Sequence, residues 1–249
     1  MTSSSYNDVL PFLYLSFYHA IVTTPLNGIA KLEILNNLST RKVISKTSFL
    51  KLYRGLEPNL LKSLSKTVVQ TSSVKLASSI IPSRLDPAIR GIMIGCISSG
   101  IEASVSNAWN VLETRFIQGQ KWSVIKQEKL FLFTKGLSST LIHRVLSGTI
   151  FWSSYEKLHQ HCPEHPSLAG IGAGMIQVCS TAPFYISKTL KQGKNPPIEP
   201  LWFLFKKKIK NQGLVRGLFL PGLIPRLSQS IFIGGPLVVL FEKNQIIQR

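Results

Sequence analysis

A glycine-centred phrase occurs three times in this chain, and its recurrence limits the possible folds more than any other feature. It reads LYRGLEPNLLKSL from Leu52, FTKGLSSTLIHRV from Phe133 and FLPGLIPRLSQSI from Phe219. Aligned on Gly55, Gly136 and Gly222, which lie 81 and 86 residues apart, the copies share a leucine one place on (Leu56, Leu137, Leu223). They share another five places on (Leu60, Leu141, Leu227). A second phrase precedes each copy: TTPLNGIAK from Thr23, SNAWNVLETR from Ser106 and TAPFYISKTL from Thr181, which aligns Pro25, Ala108 and Pro183. The 249 residues are therefore read as one domain of three repeats, 1–82, 83–163 and 164–249. Such an array buries its core between neighbouring units.

Each repeat holds two long apolar segments. Leu10–Ala30 and His165–Ser187 contain no Asp, Glu, Lys or Arg, and about 20 apolar residues suffice for a hydrocarbon core. Residues 91–112 carry only Glu102 as an acid or base; 145–155 and 227–241 are apolar but short; 58–80 is interrupted by Lys62, Lys66 and Lys75. A helix lining a watery cavity needs only one lipid-facing stripe, so the weaker segments are also read as spans. Charge supports this reading. Only 16% of residues are charged, yet the net charge is +18, where a soluble domain carries about a quarter charged residues. With six spans the connections alternate sides. Residues 31–57, 113–136 and 188–216 hold 19 of the 29 bases, while Arg84, Arg90, Lys157, Lys243 and Arg249 lie on the other side. That bias is the positive-inside pattern. WFLFKKKIK, from Trp202, suits an interface with anionic lipid; no nucleic-acid reader motif accompanies it, so no nucleic-acid partner is expected.

Other classes find no support. Cys96, Cys162 and Cys179 are too few and scattered for a disulfide framework, and no pair has zinc-ligand spacing. No nucleophile–base pair, metal cluster or phosphate loop is present, so neither an enzyme nor a cofactor or metal is expected. The opening MTSSSYND has no basic region and reads neither as a secretory signal nor as an Arg-rich transit peptide.

The motifs LYRGLEPNLL, GLIPRL and PFYISKTLKQ resemble those of the mitochondrial carrier family, over essentially the whole chain. The resemblance implies an all-α membrane protein of six transmembrane helices in three pseudo-symmetric repeats, monomeric, in the mitochondrial inner membrane. It also implies that the basic loops face the matrix. Gly55 and Gly136, with Arg54 and Lys135, would then hold a lipid phosphate such as cardiolipin's at a helix N-terminus. Small residues at four-residue spacing, Gly95 with Ser99 and Gly170 with Gly174, allow helices to approach closely.

The implied matrix gate departs from the family pattern. Its acid positions hold Asn27, Asn110 and Tyr185, and its base positions Ala30, Glu113 and Lys188. Pairing across repeats gives Asn27–Glu113, Asn110–Lys188 and Tyr185–Ala30, with no salt bridge and with Gln192 as the bracing glutamine. A weakened gate is expected. At the cytosolic gate the resemblance points to Glu156 and His159, to Glu242 and Gln245, and to Lys75 as a partner for Glu156 or Glu242. Substrate contacts fall seven and eight places after each glycine, at Lys62–Ser63, His143–Arg144 and Gln229–Ser230, with Lys66 one turn below Lys62. Glu102, with His19 and Gln177 at equivalent positions, is expected to neutralise Lys62 or Arg144. The bases favour a small anionic solute moved by alternating access. Two alternatives stand beside that reading. One is a non-transporting carrier-fold receptor or remodelling factor, in this or another organelle membrane. The other is a bacterial effector nucleotide carrier delivered to host mitochondria.

Overall fold

The computed structural model describes residues 4–82, 84–127, 134–235 and 238–239, and these are helical without strands. The first repeat contains α1 (Ser4–Asn36), two short helices α2 (Thr40–Lys46) and α3 (Phe49–Leu52), and α4 (Leu56–Ile80). The second contains α5 (Pro87–Ile117), α6 (Trp122–Lys126) and α7 (Leu137–His161). The third contains α8 (Pro166–Gln192), α9 (Leu201–Gln212), α10 (Leu214–Leu218) and α11 (Leu223–Gln229), which continues as a π-helical turn, Ser230–Gly234.

The three aligned glycines are the local cause of this pattern. Gly55, Gly136 and Gly222 stand just before α4, α7 and α11 with φ of 95°, 65° and 72°. An L-residue held in the left-handed helical region costs roughly 1–2 kcal/mol, so glycine is the residue that turns the chain there. Pro58 follows in the first turn of α4, where a backbone donor has no intrahelical acceptor to lose.

The long helices form a closed ring in chain order. α1 packs on α4, α4 on α5, α5 on α7, α7 on α8, α8 on α11 and its π turn, and α11 returns to α1. The ends of α5 and α8 meet, where the Lys194 amide donates to Gln118 Oε1 at 2.6 Å, and the end of α9 meets that of α1, where Gln212 Nε2 donates to Asn37 Oδ1 at 2.6 Å. The three basic connections thus share one end of the ring. Toward the opposite end an apolar cluster ties α4, α5, α7 and α8 through Val74, Ile94, Phe151, Trp152, Tyr155 and Ala173. The α5–α7 seam is the tightest: a Cβ on Gly95 would lie 2.6 Å from the Gly148 backbone.

Polarity is inverted around this ring. On α5, Ile89, Ile92, Met93, Ile97, Ile101 and Val105 are exposed, while Ser98, Glu102, Ser106, Asn110 and Glu113 are buried. α1 exposes Tyr14, Phe17 and Ile21 and buries Thr23, Thr24 and Lys31. Among the described residues no helix is long and apolar enough to cross a membrane, whereas the sequence led us to expect six spans. The inward-facing polar residues are the reason: they confine the apolar content to one outer stripe.

Candidate functional site

The helices enclose a cavity of about 210 Å³ with a largely polar wall. Its polarity follows from register. Residues recurring at three- and four-residue spacing occupy one helix face, and on α5 Glu102, Asn110 and Glu113 do so toward the cavity. Five of the six expected contact residues, Lys62, His143, Arg144, Gln229 and Ser230, line it. Ser63 lies behind the wall and shares a 2.8 Å hydrogen bond with His19 Nδ1, which does line it. Lys66 belongs to α4, but its side chain is outside the described residues.

His19, Glu102 and Gln177 all reach the cavity, each bonded to a neighbouring helix, α4 for His19 and α7 for Glu102 and Gln177. His19 meets Ser63, Glu102 forms a 3.3 Å ion pair with Arg144, and Gln177 donates to Ser147. Of the two cations considered as partners of Glu102, the structure selects Arg144. Lys62 pairs instead with Glu113.

The expected pairs at the basic end are largely replaced. Asn27 Oδ1 accepts from Gln229 Nε2 at 2.9 Å, not from a partner on α5. Glu113, fully buried, takes two ammonium groups, Lys31 at 3.1 Å and Lys62. The expectation that no salt bridge remains is therefore corrected. Lys31 stands one residue beyond Ala30, and that one-residue rotation, about 100° on a helix, turns it toward α5. Asn110 Nδ2 donates to the Ser106 carbonyl at 2.9 Å within its own helix and not to Lys188. Ala30 and Tyr185 do meet, in an apolar cluster with Ile34 and Ile186. Gln192 Nε2 donates to Thr140 Oγ1 at 2.9 Å and to Asn107 Oδ1 at 3.2 Å, bridging the third repeat to the second. Glu33 Oε2 accepts the Gly222 amide at 2.7 Å, bridging the first to the third.

Three further residues escaped the sequence reading. Arg226 lies 4.0 Å above the Tyr185 ring and contacts Thr181 Oγ1 at 3.4 Å. It stands in the quoted GLIPRL, but its direction depends on helix register. Asn59 donates to Thr23 and Thr24 hydroxyls and to the Ala20 carbonyl, holding α4 against α1 just ahead of Pro25. Lys31 is the third; its proximity to a base position was the available signal.

At the opposite end Glu156 pairs with Arg90 at 4.0 Å. The expected Lys75–Glu156 pair is not formed, because Lys75 is on the exposed side of α4 while Arg90 is buried in the first turn of α5. His159 stacks on Tyr155 with ring centroids 5.5 Å apart. Glu242 and Gln245 lie outside the described residues. Arg54 is exposed beside Gly119, and the Lys135 carbonyl accepts from Asn107 Nδ2 at 3.2 Å. Among the described residues no group of His, Cys, Asp or Glu is arranged to hold a metal ion.

No protein-family model matches the chain. It is 24% identical, over 218 residues, to the mitochondrial glutathione transporter SLC25A40 of Mus musculus. The match covers 75% of this chain, and the chain spans 64% of the length of that relative. A likeness of this extent, to a transporter and not an enzyme, suggests the mitochondrial carrier family.

Proposed function

We propose that this protein moves a small anionic metabolite across the mitochondrial inner membrane by alternating access, as a multi-pass monomer. The observation that carries the proposal is the inverted polarity: apolar side chains face outward around a closed ring, and ionic side chains face a central cavity. Contiguous exposed apolar surface marks contact with lipid or protein, and intramembrane ionisable groups turned toward a cavity mark a solute pathway. The matched relative, a mitochondrial transporter, supports the same reading. Five cations and two carboxylates among the lining residues favour a negative solute. Alternation requires bonds at each end that break in turn. Lys31–Glu113–Lys62 and Asn27–Gln229 would serve at the basic, matrix end, and Arg90–Glu156 at the other. Arg54 and Lys135, beside Gly55 and Gly136, would bind cardiolipin phosphates.

The test is uptake into liposomes by the purified chain, against glutathione, di- and tricarboxylates, nucleotides and amino acids. Saturable uptake of at least one anion, with none of the cationic amino acids, is expected. A chain that moves none of them is the non-transporting carrier-fold protein. The observation favouring that second reading is that Lys62 and Arg144, both at expected contact positions, are already paired with carboxylates of the chain itself.

A further inference from the structure

Of the charged groups lining the cavity, Lys31 and Lys62 share Glu113, and Arg144 takes Glu102. Lys188 and Arg226 complete the lining cations, and no carboxylate is left for them among the described lining residues. Lys188 is 4% exposed and makes no hydrogen bond or ion pair among the described residues. Arg226, 7% exposed, rests on the Tyr185 ring and touches one hydroxyl. His143, 4% exposed, has both ring nitrogens without a hydrogen-bond partner, and its ring centroid lies 5.6 Å from that of Tyr185. Tyr185 thus joins the group: Arg226 and His143 contact its ring, and Lys188 follows three residues later on the same face of α8. Buried cations gathered without a counter-charge are costly, and an oxyanion entering between them relieves that cost through charge-assisted hydrogen bonds.

We propose that Lys188, Arg226 and His143 form the seat for the oxyanion end, carboxylate or phosphate, of the transported solute, with the Tyr185 ring beside it. This rests on the transport reading above and differs from the sequence expectation, which placed the contacts at Lys62–Ser63, His143–Arg144 and Gln229–Ser230; of these only His143 belongs to the seat. Arg144 is matched by Glu102 and Lys62 shares Glu113 with Lys31; the seat is the part of the wall with no carboxylate of its own.

The full chain in detergent is titrated with citrate and with pyrophosphate, glycerol serving as the neutral control, and binding is followed by thermal stabilisation and by calorimetry. One or both anions stabilise the parent and glycerol does not. Lys188→Gln and Arg226→Gln each weaken anion binding about tenfold or more, the size expected when one charge-assisted bond is lost. Lys188→Gln also melts higher than the parent without anion, because repulsion is relieved, and Lys188→Arg restores binding. Lys207→Gln, which removes an exposed cation on α9, leaves binding unchanged. Parental affinity in both glutamine variants, or a parent stabilised by neither anion, overturns the seat. If the variants lose anion binding but the parent shows no liposome uptake, the transport reading falls and the seat stands. If uptake persists with unchanged affinity in the variants, the seat falls and transport stands.

Discussion

Glu113 accepts two ammonium groups at a point where all three partners are nearly sealed from solvent: Glu113 is 0%, Lys31 4% and Lys62 5% exposed. Removing the one anion strands two cations. Breaking a buried ion pair by taking away one partner costs about 3–5 kcal/mol, so Glu113→Gln should lose at least that much. Lys62→Met, which leaves the Glu113–Lys31 pair intact, should lose less. Thermal melting of the purified variants in one detergent gives the order, and a Glu113→Gln protein as stable as the parent would rule out the triad as a structural tie. The triad also marks how far single residues can be read from sequence. Glu113 sits at a position aligned by repeat, yet its partners depend on which way each helix is rotated. Lys31 was overlooked because it is one residue off the aligned position, and Arg226 because a leucine-rich motif hid its inward direction. The glycines were legible because their conformation admits almost no other residue.

At the scale of elements, the α5–α7 seam depends on the absence of side chains. A Cβ on Gly95 would stand 2.6 Å from backbone atoms of Gly148 and Thr149, and one on Gly91 would stand 2.8 Å from backbone atoms of Trp152 and Ser153. Backbone cannot swing aside as a side-chain tip does. Gly95→Ala should therefore push the two helices apart and destabilise by about 1–3 kcal/mol, the usual cost of overpacking. Gly100→Ala on the same helix, where a Cβ meets nothing within 4 Å, should be neutral or slightly stabilising, since alanine favours the helix. A comparison of melting temperatures checks the contrast, and equal losses in both variants would refute it. The Gly95–Ser99 spacing made this contact foreseeable. The identity of the facing residue, Gly148, was not foreseeable, because spacing along one helix says nothing of the register of its neighbour.

For the whole molecule, the ring separates two sets of connections. Lys207 lies on α9 in a basic connection, and Arg84 between α4 and α5 at the other end. If the ring stands in a bilayer, single cysteines at these positions, in a chain whose Cys96, Cys162 and Cys179 are replaced by serine, react with an impermeant thiol reagent from opposite faces of oriented vesicles. Labelling of both from one face would defeat the six-span topology. The packing of consecutive long helices follows from chain order, since successive elements are usually neighbours in space. The closure of α11 onto α1 followed only from the fold. The outward stripe on α5 has a further consequence for how the protein is handled and made. Its large apolar side chains stay 37–50% exposed within one copy, so part of the hydrophobic effect that condenses a water-soluble core acts here between the ring and whatever surrounds it. Released into water, copies would adhere through these stripes. Lipid tails or detergent micelles, by covering them, become in effect the outer half of the fold.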